Sequence, residues 1–427
     1  MNTPLSPREL LIASFHAAVS AVKADRVLPA RLPAPPRGRT LVLGAGKAAA
    51  DMAACVEAHW PEAADLSGLV ITRHGHGMPT RRIEVVEAGH PLPDAAGTAA
   101  ARRLLELVRG AEADDLVLAL ISGGGSSLLT LPAAGLELAD IRAVSQALLN
   151  SGAPIADINC VRKHLSSTLG GRLAEACAAP TRVLLISDVA GDDVSVIASG
   201  PFAPDPTTYA DALAVLERWR VATPEPVRRH LRSGADGRLP ETPKPGTDCF
   251  GRVEHHLAAN GRTALEGAAA FFSAHGIRPV ILGDSVTGEA REVAQAYAAL
   301  AREIKRHDLP WRPPVVLLSG GETTVTVRGG GRGGRNMEFL LAATLALGDL
   351  PGIHALAADT DGIDGTSDCA GAISGPDSLA RARSAGLSAS DCLDDNDAYR
   401  FFAGLDDLIR TGPTRTNAND YRAILIT

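Results

Sequence analysis

Residues 41–50, LVLGAGKAAA, constrain this chain more than any other stretch. Residues 41–43 are a short apolar run, Gly44-Ala45-Gly46 is a tight turn, and the alanines that follow read as a helix. Strand, glycine turn and helix start make the opening of an α/β unit, where backbone N–H groups and the helix dipole favour an anion. The spacing Gly44-x-Gly46-x-x-Ala49 fits the dinucleotide fingerprint with Ala in the third position. Lys47, in the first helical turn, can bring its ammonium to the same anion. A Walker A loop is excluded, because the four-residue spacer and the Ser/Thr after the lysine are missing. Two readings stay open from this stretch: a nicotinamide enzyme, or a phosphoryl-transfer enzyme that uses Lys47.

The rest of the first half repeats the alternation. Residues 69–72, 83–86, 116–121 and 182–186 read as strands, with helical spacing between them, so a mostly parallel sheet is expected. An N-terminal helix precedes them, with Leu10, Leu11, Phe15 and Val19 on its apolar stripe. The apolar run 116–121 ends in Ser122-Gly123-Gly124-Gly125-Ser126-Ser127, a hydroxyl-rich loop where open α/β sheets bind ligands. Arg162-Lys163-His164 lies on a helix whose other face is apolar, so its charges point away from the core. Asp188 stands directly past a strand end, where Mg²⁺ is often held through one or two oxygens; Asp192 or Asp193 reads as a helix cap. His74-Gly75-His76 lacks further ligands and reads as a polar loop. Pro240, Pro243 and Pro245 mark a linker, giving an N-terminal domain over 1–240 and a C-terminal domain over 247–427.

Composition narrows the function classes. A net charge of −7 over 427 residues argues against a general nucleic-acid binder, so any anion site is local. The six cysteines show no metal or disulfide spacing, and no apolar run reaches a membrane span, which suits a cytoplasmic protein.

The second half restarts the α/β pattern, with strands expected at 256–259, 279–282, 315–318, 354–358 and 421–426. Residues 323–327 alternate and read as a hairpin. The loop Gly329-Gly330-Gly331-Arg332-Gly333-Gly334-Arg335-Asn336 loses much entropy on ordering, and its arginines suit phosphate or carboxylate. Residues 359–368, DTDGIDGTSD, lack an EF-hand's glycine and ligands but carry carboxylates suited to Mg²⁺ or a hydroxyl.

With these stretches in hand, the chain resembles the glycerate 2-kinases whose C-terminal half is the MOFRL domain. The resemblance is carried by GAGKAA (44–49), ISGGGSSLL (121–129), INCVRKHLS (158–166), GGRLA (170–174), ISDVAGDDVSVIASGP (186–201), LSGGETTVTVRGGGRGGRNMEF (318–339) and DTDGIDGTSDCAGA (359–372). The family usually has Gln at Met337, Pro at Ala190 and Ala at Cys160. The resemblance implies an α/β fold of two domains. The N-terminal one is a Rossmann-like three-layer α/β/α domain with a mostly parallel sheet, and the C-terminal one has a mixed sheet. It implies a cleft between them in which ATP and a divalent cation such as Mg²⁺ serve to phosphorylate D-glycerate at its 2-hydroxyl. Lys47 and Arg335 match positions thought to be catalytic, with Asp188 as metal ligand or base.

On that reading, Ser122, Gly123, Gly124, Ser126 and Arg162 are expected to bind the acid. Gly44, Gly46, Gly320, Gly321, Glu322 and Asn336 are expected to bind the nucleotide, and Asp188, Asp192 and Asp361 the metal. D-Glycerate is the expected partner, with neither nucleic acid nor membrane, and homodimerisation is left open. The alternative is an NAD(P)H-dependent hydroxypyruvate reductase, a label the family also carries. A ribose-binding acid is wanted at the end of the second strand, where Thr72-Arg73 stands instead, and this disfavours NAD.

Overall fold

A computed structural model describes residues 5–427, which form two compact units. One holds residues 27–187 and 192–258; the other holds the segment through Arg26, residues 188–191 and residues 259–427. Among the described residues, no helix is long and apolar enough to cross a membrane.

The first unit is built on strands β1 (Thr40–Ala45), β2 (Leu66–Arg73), β3 (Ile83–Ala88), β4 (Leu116–Ser122), β5 (Thr181–Ile186) and β6 (Val253–Ala259). Their order is β3-β2-β1-β4-β5-β6, and β1 to β5 pair in parallel. Parallel strands are covered on both faces, so near-continuous apolar runs are what they require. All six residues of β1 are buried, as are all of β4 except Leu116. The helices Ala49–His59 and Ala95–Arg109 cross between strands; the second starts where Asp94 Oδ1 accepts the Gly97 N–H at 2.8 Å. The chain runs from β1 outward to β3 and returns to place β4 on the other side of β1. The loops after β1 and β4 therefore leave in opposite directions, which opens a crevice at their carboxyl ends.

The second unit contains β7 (Arg278–Glu289), β8 (Val315–Thr324), β9 (Ile353–Asp359), β10 (Gly371–Ser374), β11 (Leu408–Ile409) and β12 (Asp420–Ile426), in the order β11-β10-β9-β12-β8-β7. Only β7 and β8 are parallel, so the sheet is mixed. The last strand, β12, lies between β8 and β9, and its register sets Asp420 opposite Asp359 and Arg422 opposite Ser319. The helix Arg335–Leu347 is buried at every position from Asn336 to Thr344, in the core with Phe401, Phe402 and Ile424.

Three expectations are corrected. The alternating residues 323–327 do not form a hairpin: β8 runs straight through to Thr324, paired with β7 across two register shifts, and the chain is irregular from Val325. The Pro-rich stretch 240–246 is packed into the first unit, with Thr242 and Pro243 buried and the Pro243 carbonyl accepting the Asp205 N–H at 2.9 Å. The change of unit comes instead after residue 258. The helix Pro7–Ala21 belongs to the second unit, where Ser14 Oγ meets Tyr421 Oη at 2.8 Å and Ala21 lies against Gly267.

Candidate active site

At the crevice of the first unit, two glycines are demanded by close approach. A Cβ on Gly44 would sit 2.1 Å from the Leu120 carbonyl oxygen, and one on Gly46 would sit 2.1 Å from Ser122 Oγ. The turn is knitted to β2, to the end of β4 and to itself by its own amides. The Gly46 N–H donates to Ile71 O, Lys47 N–H to Gly123 O, Ala48 N–H to Ser122 Oγ and Ala49 N–H to Gly46 O, at 2.9 to 3.1 Å. The donors that a pyrophosphate would need from a dinucleotide turn are thus already used. Gly44 and Gly46 shape the turn and offer no cradle, and Ser122 and Gly123 serve as its acceptors. What the turn does present is the Lys47 side chain, lying over Gly124 beside His90: a Cβ on Gly124 would be 3.5 Å from Lys47 Cγ and 3.0 Å from the His90 ring.

Further along the loop, Ser126 Oγ and Ser199 Oγ are 2.8 Å apart. Ser199 follows Ala198, and both have left-handed backbones, φ 57° and 51°. Such residues persist only where their surroundings over-determine them, and they cluster at functional sites. Here Ala198 packs on Gly125, where an added Cβ would be 2.6 Å away, and the Gly170 N–H donates to Ser199 O at 3.0 Å.

The basic triplet on the helix Ile155–His164 divides. Lys163 and His164 are buried: Lys163 Nζ lies 3.3 Å from Asp205 Oδ1, and His164 Nε2 lies 3.3 Å from Glu241 Oε2. Burial pushes the His164 pKa down, against the pull of Asp205 and Glu241. Thr207 and Thr242 also donate to Asp205, so this cluster anchors the helix end. Arg162 differs. Its guanidinium has no hydrogen-bond or ion-pair partner among the described residues, and desolvation alone pushes its pKa down to about 10. An arginine short of counter-charge in a partly dry setting is ready for a carboxylate or phosphate.

In the second unit, Arg335 is the hub. Its Nε donates to Asp420 Oδ1 at 2.7 Å, one terminal nitrogen to Glu322 Oε1 at 2.7 Å, and the other to Asp359 Oδ2 at 2.9 Å. These carboxylates hold its pKa well above the ordinary arginine value, against the opposing effect of burial. Asp420 is shared with Asn336 Nδ2 at 2.7 Å and with the buried Arg422. The helix that begins with Arg335 is capped from afar: both oxygens of the buried Asp364 accept its first free amides, from Asn336 at 3.1 Å and Met337 at 2.9 Å. Burial pushes the Asp364 carboxyl up to about 6, against the opposing pull of those two amides. The Asn336 Nδ2 is therefore committed inside the frame, while among the described residues its Oδ1 is buried without a donor. Gly320 gives its carbonyl to Arg422, and Gly321 lies against β7, where a Cβ would meet the Val286 backbone at 2.2 Å. Met337 is a core residue, fully buried beside Cys369.

The candidate metal carboxylates are dispersed in role. Asp188 Oδ2 accepts from Asn417 Nδ2 at 2.7 Å, Asp361 is buried with Oδ1 on the Ile363 N–H at 2.8 Å, and Asp192 is half-buried in a left-handed turn. Among the described residues, no group of three or more His, Cys, Asp or Glu side chains is arranged to hold a metal ion. His74 pairs with Asp94 at 3.1 Å, as a polar loop would. Asn159, Asp205 and Asp420 are not singled out from sequence, Asp364 reads only as one carboxylate of the loop 359–368, and Ser199 only as part of a turn. Asn159 and Ser199 lie inside recognised motifs, INCVRKHLS and ISDVAGDDVSVIASGP, where a polar residue amid apolar neighbours was the available signal.

Comparison with known proteins fits this picture. Residues 10–232 match the family described as a domain of unknown function, DUF4147, and residues 315–420 match the MOFRL family. The chain is 50% identical over 99% of its length to a putative hydroxypyruvate reductase of Agrobacterium vitis, covering 95% of that protein. It is 40% identical over 98% of its length to a D-glycerate 2-kinase of Thermotoga maritima, covering 98% of it. The crystal structure of a glycerate kinase from Thermotoga maritima matches with a TM-score of 0.86 at 39% identity, over 98% of this chain and 99% of that one. Fold and matches define a kinase-type α/β protein that joins a DUF4147 domain to a MOFRL domain. The chain belongs to the MOFRL-domain glycerate 2-kinase family.

Proposed function

We propose that this chain transfers the terminal phosphoryl group of ATP to the 2-hydroxyl of D-glycerate, giving 2-phosphoglycerate and ADP. One observation carries the choice of chemistry. The glycine turn after β1 has spent the amides of residues 46–49 on its own fold, so it supports Lys47 as the acting group and not a nicotinamide pyrophosphate. The strong likeness to a D-glycerate 2-kinase supports the substrate.

Phosphoryl transfer asks the protein chiefly for positioning and charge. Arg162 takes the carboxylate of the acid, and Ser126, partnered by Ser199, offers a hydroxyl to the substrate's polar end. Lys47 sets its ammonium against the charge on the transferred group. Arg335 is the second proposed cation, held in the frame of Glu322, Asp359 and Asp420. A base is required to take the 2-hydroxyl proton, and Asp188 is proposed either as that base or as the metal ligand. Mg²⁺ belongs to the same reading. Asp188 is half-exposed, and one carboxylate completed by phosphate oxygens and water is an ordinary magnesium set, whereas the buried Asp361 fits less well. When bound, the ion would neutralise phosphate charge. A cytoplasmic setting accompanies this proposal, where ATP is supplied and the six free thiols stay reduced.

The test runs two assays side by side: ADP release with D-glycerate and ATP, and NAD(P)H oxidation with hydroxypyruvate. ADP formation, with phosphorus NMR showing the 2-phosphate, is the expected result. Oxidation of NAD(P)H without ADP would replace the kinase by the reductase.

A further inference from the structure

Asn159 stands one helical turn before Arg162, on the same face of the helix Ile155–His164. Its side chain is buried, at 4% exposure. Its Nδ2 donates to Val196 O at 3.4 Å, which turns the amide so that Oδ1 is its free end. That oxygen is buried with no donor among the described residues. A buried acceptor left unmade costs more than a hydrogen bond gains, so native structures rarely keep one without a reason. Val196 leads directly into the left-handed pair Ala198 and Ser199, and Ser199 joins Ser126 of the loop after β4. The orphaned acceptor, the unpaired guanidinium and the strained turn thus belong to neighbouring parts of one unit.

The two side chains ask for different chemistry. Arg162 offers donors and a positive charge, which a carboxylate satisfies. Asn159 offers only an acceptor, which a carboxylate would repel and a hydroxyl satisfies. Residues three apart on a helix carry Cβ atoms roughly 5–6 Å apart, a separation that a three-carbon hydroxy acid can bridge. Resting on the kinase reading above, we infer that Asn159 is the specificity-determining residue of the acid site, accepting a hydrogen bond from the substrate hydroxyl that is not phosphorylated. The site then selects acids carrying a second hydroxyl over those that lack it. Orientation follows as well: the carboxylate lies on Arg162 and the 3-hydroxyl on Asn159, which leaves the 2-hydroxyl to react.

D-Lactate is the matching probe, because it replaces only the CH₂OH of D-glycerate by CH₃. Calorimetric titration of the full chain, with magnesium and a non-hydrolysable ATP analogue present, gives the dissociation constants of both acids. The unmodified protein should bind D-lactate about 10- to 100-fold more weakly than D-glycerate, the range for one buried hydrogen bond. In Asn159→Ala, D-glycerate should weaken to within about 3-fold of D-lactate while D-lactate is unchanged. Asn159→Leu, closer in volume, should show the same convergence and guards against a cavity effect. Equal affinity of the unmodified protein for both acids would overturn the inference without any variant. So would variants that keep the original ratio, or that weaken both acids alike, as a structural role or a buried water would require. The kinase reading is judged separately: absence of ADP release from D-glycerate would remove it, even if the affinity ratio behaved as expected.

Discussion

Arg162, in the first unit, has no counter-ion among the described residues, whereas Arg335, in the second, is gripped by Glu322, Asp359 and Asp420. With Arg422 included, two arginines face three carboxylates there, and the frame stays negative. The contrast separates two uses of one side chain. A guanidinium held partly dry without an acid is unfavourable until a ligand anion arrives, so its interaction energy is available for binding. A guanidinium with its nitrogens already bonded holds a structure together, and a ligand anion must compete with the acids that grip it. The same residue type therefore stands ready for recognition in one unit, while in the other it is first of all architecture, and its proposed catalytic charge is held in place by that frame.

Substitutions can break this contrast or sharpen it. Arg335→Ala should have the largest effect on stability, because it leaves Asp359 and Asp420 buried without their cation. Urea unfolding should show a loss of about 3–5 kcal/mol, nearer the lower end because Glu322 is exposed. A loss below about 0.5 kcal/mol would show that the grip is not structural. Lys47→Ala should lower kcat on the order of 100-fold, as removal of a charge-stabilising donor does, with the unfolding midpoint unmoved. An unchanged kcat would remove Lys47 from the chemistry. Arg162→Ala should cost about 10- to 100-fold in kcat/KM for D-glycerate, chiefly through KM. Its stability should stay within about 0.5 kcal/mol of the original. Destabilisation as large as that of Arg335→Ala would erase the contrast.

The smallest effect concerns pH. The raised carboxyl of Asp364 means that the folded chain holds a proton there which the unfolded chain has already lost. Its contribution to stability therefore falls as pH rises from about 4, the ordinary carboxyl range, to about 6. Asp364→Asn should flatten that part of the stability–pH curve, and an unaltered slope would assign it to other groups.

Most strands were legible because buried strands need apolar runs, as residues 41–43, 116–121 and 182–186 of the first sheet show, whereas the short β10 and β11 of the second were not. Lys47, Arg162 and Arg335 were legible because charged residues beside glycine loops and apolar helix faces stand out. Partnerships were not. Lys163 meets Asp205 42 residues away, and Arg335 meets Asp420 85 residues away, distances at which no local pattern reports a contact. The expected hairpin at 323–327 failed for a related reason: alternation shows which side a residue faces, not whether the next strand returns. The Pro-rich stretch at 240–246 misled because Thr242 and Pro243 pack around Asp205, a partner that composition cannot reveal.

The placement of the helix Pro7–Ala21 has a consequence for synthesis. Its apolar side, with Leu11, Phe15, Ala18 and Val19, finds cover in the unit built mainly from residues 259–427. At a translation rate of about 5–20 residues per second, the ribosome needs roughly 12–50 s to travel from this helix to the one at Gly261–Ala274 that it packs on. It needs longer still to reach Tyr421. Throughout that interval the apolar side of this helix is without its partner while the chain of the first unit is being made. The helix is the segment whose late docking completes the second unit.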